Sequence, residues 1–451
     1  MDQSTVLGKS LKEWKDELPL LESIMELEPV IWSNTSYKKM DQIPPFSITK
    51  ADIYEAEQLW KRFAPFLRKA FPETDSTKGI IESPIRNIDS TGKTMEEVYE
   101  KNFEGKLYLK CDHELPISGS IKARGGVFEV LSYAEELALE NSFISKDDNY
   151  EAFLEPEMKQ FFSQYTIGVG STGNLALSIG TISAKLGFTV HVHMSADAKQ
   201  WKKDLLREKG AQVFEYEGDF SEAITNGRDR TIEDPKGYFV DDEDSKALFL
   251  GYSVAALRLN QQLAEKGVTV DEEHPLFVYL PCGVGGSPGG ITFGLKHVFG
   301  DAVHCFFVEP THSPSVLLGL MTGKNEQVSV QDFGLDNRTE ADGLAVGRPS
   351  RFATEISSYL VSGLYTLEDD ELYKLLALLA DNEGINVEPS AAAGLLGPLL
   401  LKNFTYIKEY NLQGKLSQAT HICWSTGGSL VPEADRKGFY QKGKSLLKES
   451  K

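Results

Sequence analysis

Residues 165–194 read YTIGVGSTGNLALSIGTISAKLGFTVHVHM, and the pattern of this segment indicates the fold class. It opens with a short apolar run, Tyr165–Val169, and closes with a second β-rich run, Thr189–Met194. Between the two runs, apolar residues recur with the spacing of one helix face at Leu175, Ile179, Ile182 and Leu186. Strand, helix and strand in this order predict a βαβ unit, and therefore a parallel sheet.

The same alternation continues along the chain. Further β-rich runs stand at Leu107–Lys110, Ala211–Tyr216, Tyr238–Val240, Leu276–Leu280, His304–Val308 and His421–Trp424. Helical spacing appears again at Leu372, Leu375, Leu376 and Leu379. We therefore predict an α/β protein with two open, mostly parallel twisted sheets flanked by helices, and a helical N-terminal region over 1–75. The predicted domains are a large one, 1–119 with 241–451, and a small mobile one, 120–240.

The composition excludes several classes of function. The chain of 451 residues contains 47 Lys and Arg and 67 Asp and Glu, which gives a net charge of −20. Such a charge disfavours binding to nucleic acids or to anionic membranes. The first twenty residues are too charged for a signal peptide, no apolar run approaches the roughly 20 residues of a membrane span, and the four cysteines lie far apart. We expect a cytoplasmic protein.

A first glycine-rich loop, Gly168–Asn174, follows the strand at Tyr165–Val169 and opens a helix. It fits G-x-G-x-x-G, the dinucleotide fingerprint, so a nicotinamide-dependent oxidoreductase is a real alternative. That fingerprint also expects an acidic residue at the end of the next strand, whereas the nearest one, Asp197, stands a few residues too late. The polar Ser171, Thr172 and Asn174 suit a different ligand.

A second loop, Cys282–Gly290, follows Leu276–Leu280 and contains five glycines. Pro288 suits the first turn of a helix, so the loop presents backbone N–H groups at a helix N-terminus, which is a site for an anion such as phosphate. It is not a Walker loop, because no Gly-Lys-Ser/Thr follows. A phosphate held without a lysine or a metal ion indicates a tightly bound cofactor.

Two further motifs complete the pattern. The strand at His421–Trp424 runs into Ser425-Thr-Gly-Gly-Ser429, which places hydroxyls at its carboxyl end. Lys122 lies in Ser118-Gly-Ser-Ile-Lys-Ala-Arg-Gly-Gly126, with Ser120 predicted as the N-cap of the helix that follows. A lone lysine is usually a solvated charge, but an amine in such a setting can also form a Schiff base.

Taken together and in this order, the four motifs resemble those of the fold-type-II pyridoxal-phosphate enzymes, whose fold is like that of tryptophan synthase β. Within that group the chain resembles the bacterial D-serine dehydratases from about residue 75 to about residue 435. The resemblance implies pyridoxal 5′-phosphate as the cofactor, lying between the two domains.

The resemblance also implies roles for individual residues. Lys122 matches the lysine that carries the cofactor, Asn174 the asparagine at its 3′-oxygen, and Thr426 the hydroxyl that faces the pyridine nitrogen. The phosphate cradle is implied at Gly283, Val284, Gly285, Gly286 and Ser287. Contacts with the substrate are implied at Ser120, Ser171, Thr172, Gly173 and Asp242, and Asp242 also matches a catalytic carboxylate.

The reaction implied is β-elimination of D-serine to pyruvate and ammonia, with D-threonine, which gives 2-oxobutanoate, as a second substrate. A neutral hydroxyl such as Thr426 beside the ring nitrogen favours elimination over transamination. The sequence does not decide which base takes the Cα proton. Ammonia-lyases for L-threonine, L-serine or diaminopropionate on the same fold remain alternatives, as does a ligand-binding relative without activity.

Three smaller predictions concern metal ions and partners. His191 and His193 point to one face of a strand, and we interpret them as packed core histidines rather than metal ligands. Enzymes of this fold commonly bind a monovalent cation, K⁺ or Na⁺, for which Glu309 is the candidate ligand. The resemblance implies a monomer whose partner is a small D-amino acid.

Overall fold

The computed structural model describes residues 5–171, 173–196, 198–217 and 220–449, with the backbone alone at 220–224 and 226. The strands in chain order are β1 (Thr5–Val6), β2 (Lys9–Ser10), β3 (Ile31–Ser33), β4 (Ile85–Asn87), β5 (Lys106–Cys111), β6 (Thr166–Gly170), β7 (Thr189–Ser195), β8 (Gln212–Tyr216), β9 (Gly237–Val240), β10 (Leu276–Pro281), β11 (Val303–Pro310), β12 (Gly363–Leu367) and β13 (Thr420–Ser425).

The α-helices in chain order are α1 (Leu11–Glu17), α2 (Leu20–Met25), α3 (Lys50–Ala70), α4 (Asp89–Tyr99), α5 (Phe128–Glu140), α6 (Pro156–Phe162), α7 (Asn174–Leu186), α8 (Gln200–Glu208), α9 (Phe220–Glu233), α10 (Lys246–Ser253), α11 (Ala255–Glu265), α12 (Gly286–Phe299), α13 (Ser315–Thr322), α14 (Arg351–Leu360), α15 (Asp369–Glu383), α16 (Pro389–Ala392), α17 (Gly397–Leu400), α18 (Thr405–Glu409) and α19 (Glu433–Glu449). None of these helices is both long enough and apolar enough to cross a membrane.

The chain divides into two compact units. Unit 1 comprises residues 1–48, 83–113 and 255–451, and unit 2 comprises 49–82 and 114–254. Unit 2 contains the whole of the predicted small domain, 120–240, together with further residues on both sides of it.

Unit 1 is built on a seven-stranded sheet with the order β3-β12-β11-β10-β13-β5-β4. The five inner strands run parallel, and the edge strands β3 and β4 run antiparallel to their neighbours. Every residue of β10 and β11 is buried, as expected of parallel strands covered by helices on both faces. Helices α12 and α14 pack against each other, as do α15 and α19.

Unit 2 is built on a four-stranded parallel sheet with the order β8-β7-β6-β9. Helix α9 packs on β6, β7 and β9, while α7 packs on β7. In both sheets the loops at the carboxyl ends of the parallel strands lie along one edge, where open α/β sheets bind their ligands.

The predicted fold class is confirmed, and each of the eight predicted strands is present. The sequence analysis missed β12, which is a fully buried inner strand of only five residues and begins with a glycine. The N-terminal region is not wholly helical as predicted, because β3 pairs with β12 at the sheet edge.

Candidate active site

Lys122 lies where a helix begins, immediately before a π-helical turn, Ala123–Val127, that leads into α5. π-Helical turns inside helices occur frequently at functional sites. The turn requires both of its glycines, because a Cβ at Gly125 would lie 2.4 Å from the ring of Tyr252 and one at Gly126 would lie 2.2 Å from the hydroxyl of Ser178. Close packing therefore explains the Gly-Gly pair that follows the lysine.

The N-cap predicted at Ser120 is wrong. Lys122 holds the position before the π-helical turn, and no side chain caps it. Ser120 is buried, and its hydroxyl lies 3.1 Å from that of Ser118. The turn begins two residues later than predicted, because the Ser120 hydroxyl pairs with that of Ser118 instead of accepting a helix N–H.

Lys122 and Asp242 come together in unit 2. The Lys122 Nζ donates a hydrogen bond to Asp242 Oδ2 at 3.3 Å. The side chains are 17% and 27% exposed, so the pair is accessible to a ligand while its charges remain only partly screened by water. The second oxygen of Asp242, Oδ1, is buried and has no hydrogen-bond partner among the described residues. A buried acceptor without a partner is uncommon in proteins and sets this carboxylate apart from other surface acids.

The first glycine loop lies at the same edge of the small sheet, because β6 and β9 are paired neighbours and Asp242 follows β9. The backbone N–H of Ser171 donates to His193, and the Ser171 hydroxyl accepts from the N–H of Gly173. Asn174 is the first residue of α7, so the loop presents the N-terminal N–H groups of that helix, which suit a carboxylate. Thr172, predicted to contact the substrate, lies outside the described residues.

The second glycine loop, in unit 1, has the geometry of a phosphate cradle. Gly285 adopts φ +100°, a conformation that favours glycine, and serves as the N-cap of α12. The first α-helical hydrogen bond runs from Gly289 to Gly285, which leaves the amides of the first turn without intrahelical acceptors. A Cβ at Gly283 would lie 2.9 Å from the carbonyl oxygen of Gly343, so that position excludes larger residues.

Thr426 follows β13, which pairs directly with β10, so Thr426 and the second glycine loop share one edge of the large sheet. Thr426 is buried, and the hydroxyl of its neighbour Ser425 is buried without a hydrogen-bond partner among the described residues. The tight turn beyond them includes Gly428, where a Cβ would lie 2.6 Å from the backbone nitrogen of Glu388.

Glu309 stands near the end of β11, the other neighbour of β10, and is fully buried. Its two oxygens accept hydrogen bonds from the backbone N–H groups of Val316 and Leu317, each at 2.8 Å, in the first turn of α13. Burial raises the pKa of Glu309 to about 8, while the two N–H donors act in the opposite direction. A nearby cation would favour the charged form of this carboxylate.

The predicted packing of His193 is confirmed. Its Nδ1 lies 2.7 Å from the hydroxyl of Tyr216, and its ring stacks on Phe214. Burial lowers the pKa of His193 to about 4 and also lowers that of His191. No group of three or more potential metal ligands of the His, Cys, Asp or Glu type occurs in the described part of the chain.

The groups in both units fit pyridoxal phosphate. Unit 1 supplies a glycine cradle with helix N–H groups for the phosphate and the hydroxyl of Thr426 for the ring nitrogen. Unit 2 supplies the amine of Lys122 with a carboxylate beside it, together with Asn174 on α7. The groups of unit 1 suit the phosphate and the ring nitrogen of this cofactor, and those of unit 2 can form a Schiff base and move protons at the lysine nitrogen.

The sequence analysis missed two residues whose contacts lie beside Asp242 in the chain. Arg228 lies 2.9 Å from Asp241 and 3.9 Å from Glu243, the two acids that flank Asp242. Glu129 is a buried acid in the first turn of α5. The signal for Glu129 was available, since an acid between Phe128 and Val130 interrupts an apolar stretch, but only the structure identifies its partners.

Residues 91–411 match the model of a family described as pyridoxal-phosphate dependent enzymes. The chain belongs to this family. It is 55% identical over 438 residues to a protein of Geobacillus stearothermophilus named probable D-serine dehydratase, an alignment that covers 96% of this chain and 95% of that protein. A protein of the same name from Halalkalibacterium halodurans is 55% identical over 441 residues, covering 97% and 99% of the two chains.

Solved structures show the same fold at low sequence identity. Diaminopropionate ammonia lyase from Escherichia coli in complex with D-serine matches with a TM-score of 0.71 and 17% identity, over 93% of this chain and 98% of that one. Serine racemase from Dictyostelium discoideum matches with a TM-score of 0.58 and 21% identity, over 86% of this chain and 100% of that one.

Proposed function

We propose that this protein is a D-serine ammonia-lyase, which converts D-serine to pyruvate and ammonia. The observation that carries the proposal is the 55% identity, over nearly the whole chain, to proteins named probable D-serine dehydratase. The Lys122–Asp242 pair supports it, because elimination requires a proton acceptor close to the substrate Cα. The nicotinamide hypothesis is not retained, since it explains neither Lys122 nor the second glycine loop.

Each group of the site has a role in this reaction. Lys122 would hold the cofactor, and the amides of Gly283–Ser287 would bind its phosphate. Asn174 would bind its 3′-oxygen, and Thr426 would serve its ring nitrogen. When bound, pyridoxal phosphate supplies an electron sink for the charge that develops at Cα. The loop formed by Ser171, Thr172 and Gly173, with Ser120, would bind the substrate carboxylate.

Asp242 acts on the proton at the Lys122 nitrogen. A carboxylate 3.3 Å from Nζ can accept a proton from that amine or return one to it. The reaction removes the Cα hydrogen and the β-hydroxyl as water, and a later hydrolysis consumes one water. The balance is therefore one D-serine to one pyruvate and one ammonia.

The first test compares the visible absorption of the purified protein and its production of pyruvate from D-serine and L-serine. We expect a yellow band that Lys122→Ala abolishes, and pyruvate from D-serine alone. Lys437→Ala, at a lysine whose side chain is 72% exposed, is the control and should retain both. Pyruvate from L-serine, or turnover of diaminopropionate in its place, would assign the chain to a sister activity.

D-Threonine is proposed as a second substrate, giving 2-oxobutanoate. One added methyl group changes discrimination by only about 1–3 kcal/mol, so kcat/KM should fall by roughly 10- to 200-fold relative to D-serine. Assay of 2-oxobutanoate with both threonine enantiomers tests this, and activity with the L-enantiomer alone would contradict it.

A monovalent cation, K⁺ or Na⁺, is proposed at Glu309. Activity should then be higher in KCl than in tetramethylammonium chloride at the same ionic strength, and Glu309→Gln should remove the difference. Equal activity in both salts would overturn the cation site. The monomeric state and the cytoplasmic location remain predictions, which size-exclusion chromatography with light scattering and cell fractionation can test.

A further inference from the structure

The turn after β9 contains four consecutive acids, Asp241–Asp244, which would repel one another without partners. The guanidinium of Arg228 lies 2.9 Å from Asp241 and 3.9 Å from Glu243, while the amine of Lys122 lies 3.3 Å from Asp242. The N–H of Glu243 also donates to Asp241 Oδ1 at 3.1 Å. Asp242 is thus directed toward Lys122 while its two neighbours are held by Arg228.

Glu129 holds this turn at both ends. The Tyr238 hydroxyl donates to Glu129 Oε1 at 2.8 Å, and the Ser245 hydroxyl donates to Oε2 at 2.6 Å. Tyr238 lies in β9, three residues before the turn, and Ser245 is the first residue after it. One carboxylate therefore joins the strand that enters the turn to the residue that leaves it.

Both hydroxyls are fixed by further contacts. Ser245 is the N-cap of α10, and its oxygen accepts the N–H of Leu248 at 3.0 Å. The ring of Tyr238 stacks on that of Tyr133 with 4.2 Å between centroids. Tyr133 and Glu129 are one turn apart on α5, so the helix contacts Tyr238 at both its ring and its hydroxyl.

The helix that bears Glu129 also bears the lysine. Lys122 stands at the start of the π-helical turn that runs directly into α5, and Glu129 follows in the first turn of α5. A single continuous helix therefore positions the amine through Lys122 and the opposing carboxylate through Glu129 and the turn. Movement of this helix would carry both partners of the pair together.

The burial of the Glu129 carboxylate carries a free-energy cost. It is 2% exposed, and burial together with the nearby carboxylates of Asp242 and Asp241 raises its pKa to about 7. Hydroxyls, not cations, contact its oxygens in the described part of the chain. A buried carboxylate beside two others opposes folding, so its presence calls for a role other than stability.

We propose that Glu129 is a positioning residue of the active site, which clamps the Asp241–Asp244 turn at both ends and so keeps Asp242 within reach of the Lys122 nitrogen. The inference rests on the proposed function, because it assigns Glu129 to the same Lys122–Asp242 pair. Glu129 itself contacts neither partner of that pair through a hydrogen bond.

The test compares Glu129→Ala with Glu129→Gln. Alanine removes both hydrogen bonds, whereas the glutamine amide can accept a hydrogen bond from one hydroxyl and donate a hydrogen bond to the other. The matched control is Glu135→Ala, which removes a buried acid of the same helix that binds Arg62 and Tyr150 and does not contact the turn. Hydrogen exchange of the cofactor-free protein is followed over residues 238–248, independently of activity.

We expect Glu129→Ala to speed amide exchange in this segment by about tenfold or more while Glu135→Ala leaves it unchanged. In the cofactor-loaded enzyme, Glu129→Ala should lower kcat by roughly 10- to 100-fold with little change in KM or in cofactor absorption, because misplacement of a catalytic group affects the chemical step. Glu129→Gln should remain within a few-fold of wild type.

Unchanged exchange over 238–248 in Glu129→Ala, or faster exchange with unchanged kcat, would overturn the inference. If Glu129→Ala does not fold, Tyr238→Phe and Ser245→Ala each remove one end of the clamp, and their combination should reproduce both effects. A wild-type protein that makes no pyruvate from D-serine would refute the proposed function, while the exchange experiment would still test the clamp.

Discussion

Asp242 has one oxygen toward the Lys122 amine and a second, buried oxygen without a hydrogen-bond partner among the described residues. A buried acceptor left in this state costs free energy. The composition gave no reason to single out this acid from its three acidic neighbours. Only the resemblance identified Asp242 from sequence, and the contacts of Arg228 now provide a physical reason.

Replacement of Asp242 by asparagine tests its role directly. Asp242→Asn keeps the size of the side chain but removes the proton acceptor, so kcat should fall by about 100-fold or more while the yellow band remains. Steady-state assays with D-serine measure this. Asp147→Asn, at an exposed acid far along the chain from the turn, should behave as wild type. An Asp242→Asn enzyme with normal kcat would remove Asp242 from the mechanism.

Lys296 is a buried lysine of unit 1 that lies outside the candidate site. It is fully buried, and its Nζ donates to the hydroxyl of Tyr37 at 2.6 Å. Burial lowers the pKa of Lys296 from the usual 10.5 to about 8. Between these two values the unfolded chain binds more protons than the native protein, so the free energy of unfolding contributed by Lys296 rises with pH.

The corresponding measurement is urea unfolding of the wild type and of Lys296→Met at pH 8 and pH 9.5. The difference in unfolding free energy, wild type minus variant, should increase by about 2 kcal/mol between these two pH values. Other groups titrate equally in both proteins and cancel. A difference that stays constant would mean that Lys296 keeps its ordinary pKa in the folded protein.

At the scale of elements, the parallel strands were predictable because their continuous apolar runs are interrupted by glycine-rich loops. Two kinds of element were not. The inner strand β12 is five residues long and follows a helix almost directly, and the π-helical turn after Lys122 has no capping signature. Both depend on packing against residues distant in sequence, such as Gly125 against Tyr252. The glycine loops were recognisable because their chemistry is local.

Gly285 offers a test of the phosphate cradle. Gly285→Ala should lose about 1–2 kcal/mol of stability from its positive φ and should also weaken cofactor binding by about tenfold, because the N-terminus of α12 shifts. Gly323→Ala is the matched control, since Gly323 has φ +66° at the end of α13 and no atom within 4 Å of an added Cβ.

Cofactor titration followed by absorbance, together with urea unfolding of the cofactor-free variants, separates the two effects. We expect both alanine variants to be destabilised but only Gly285→Ala to show a raised Kd. Equal affinities in the two variants would show that Gly285 does not shape the phosphate site.

At the scale of the whole molecule, the excess of acids is the dominant property. At a net charge of −20, the acidic groups of the folded protein repel one another. Salt screens this repulsion, with a Debye length of about 10 Å at 0.1 M. The melting temperature should therefore rise as tetramethylammonium chloride increases from about 0.02 M to about 0.5 M. Differential scanning calorimetry of the cofactor-free protein measures this, and a flat or falling trend would contradict it.

The position of β13 has a consequence for biosynthesis. This strand lies in the middle of the large sheet, between β10 and β5, yet its residues 420–425 follow the other six strands of that sheet in the chain. Until they emerge, β5 and β10 each expose an unpaired edge in the nascent chain, and such edges promote aggregation. The large sheet is therefore completed only after its other six strands have been synthesised. Shortened chains that stop before β13 lack both the strand that joins β10 to β5 and the hydroxyl of Thr426.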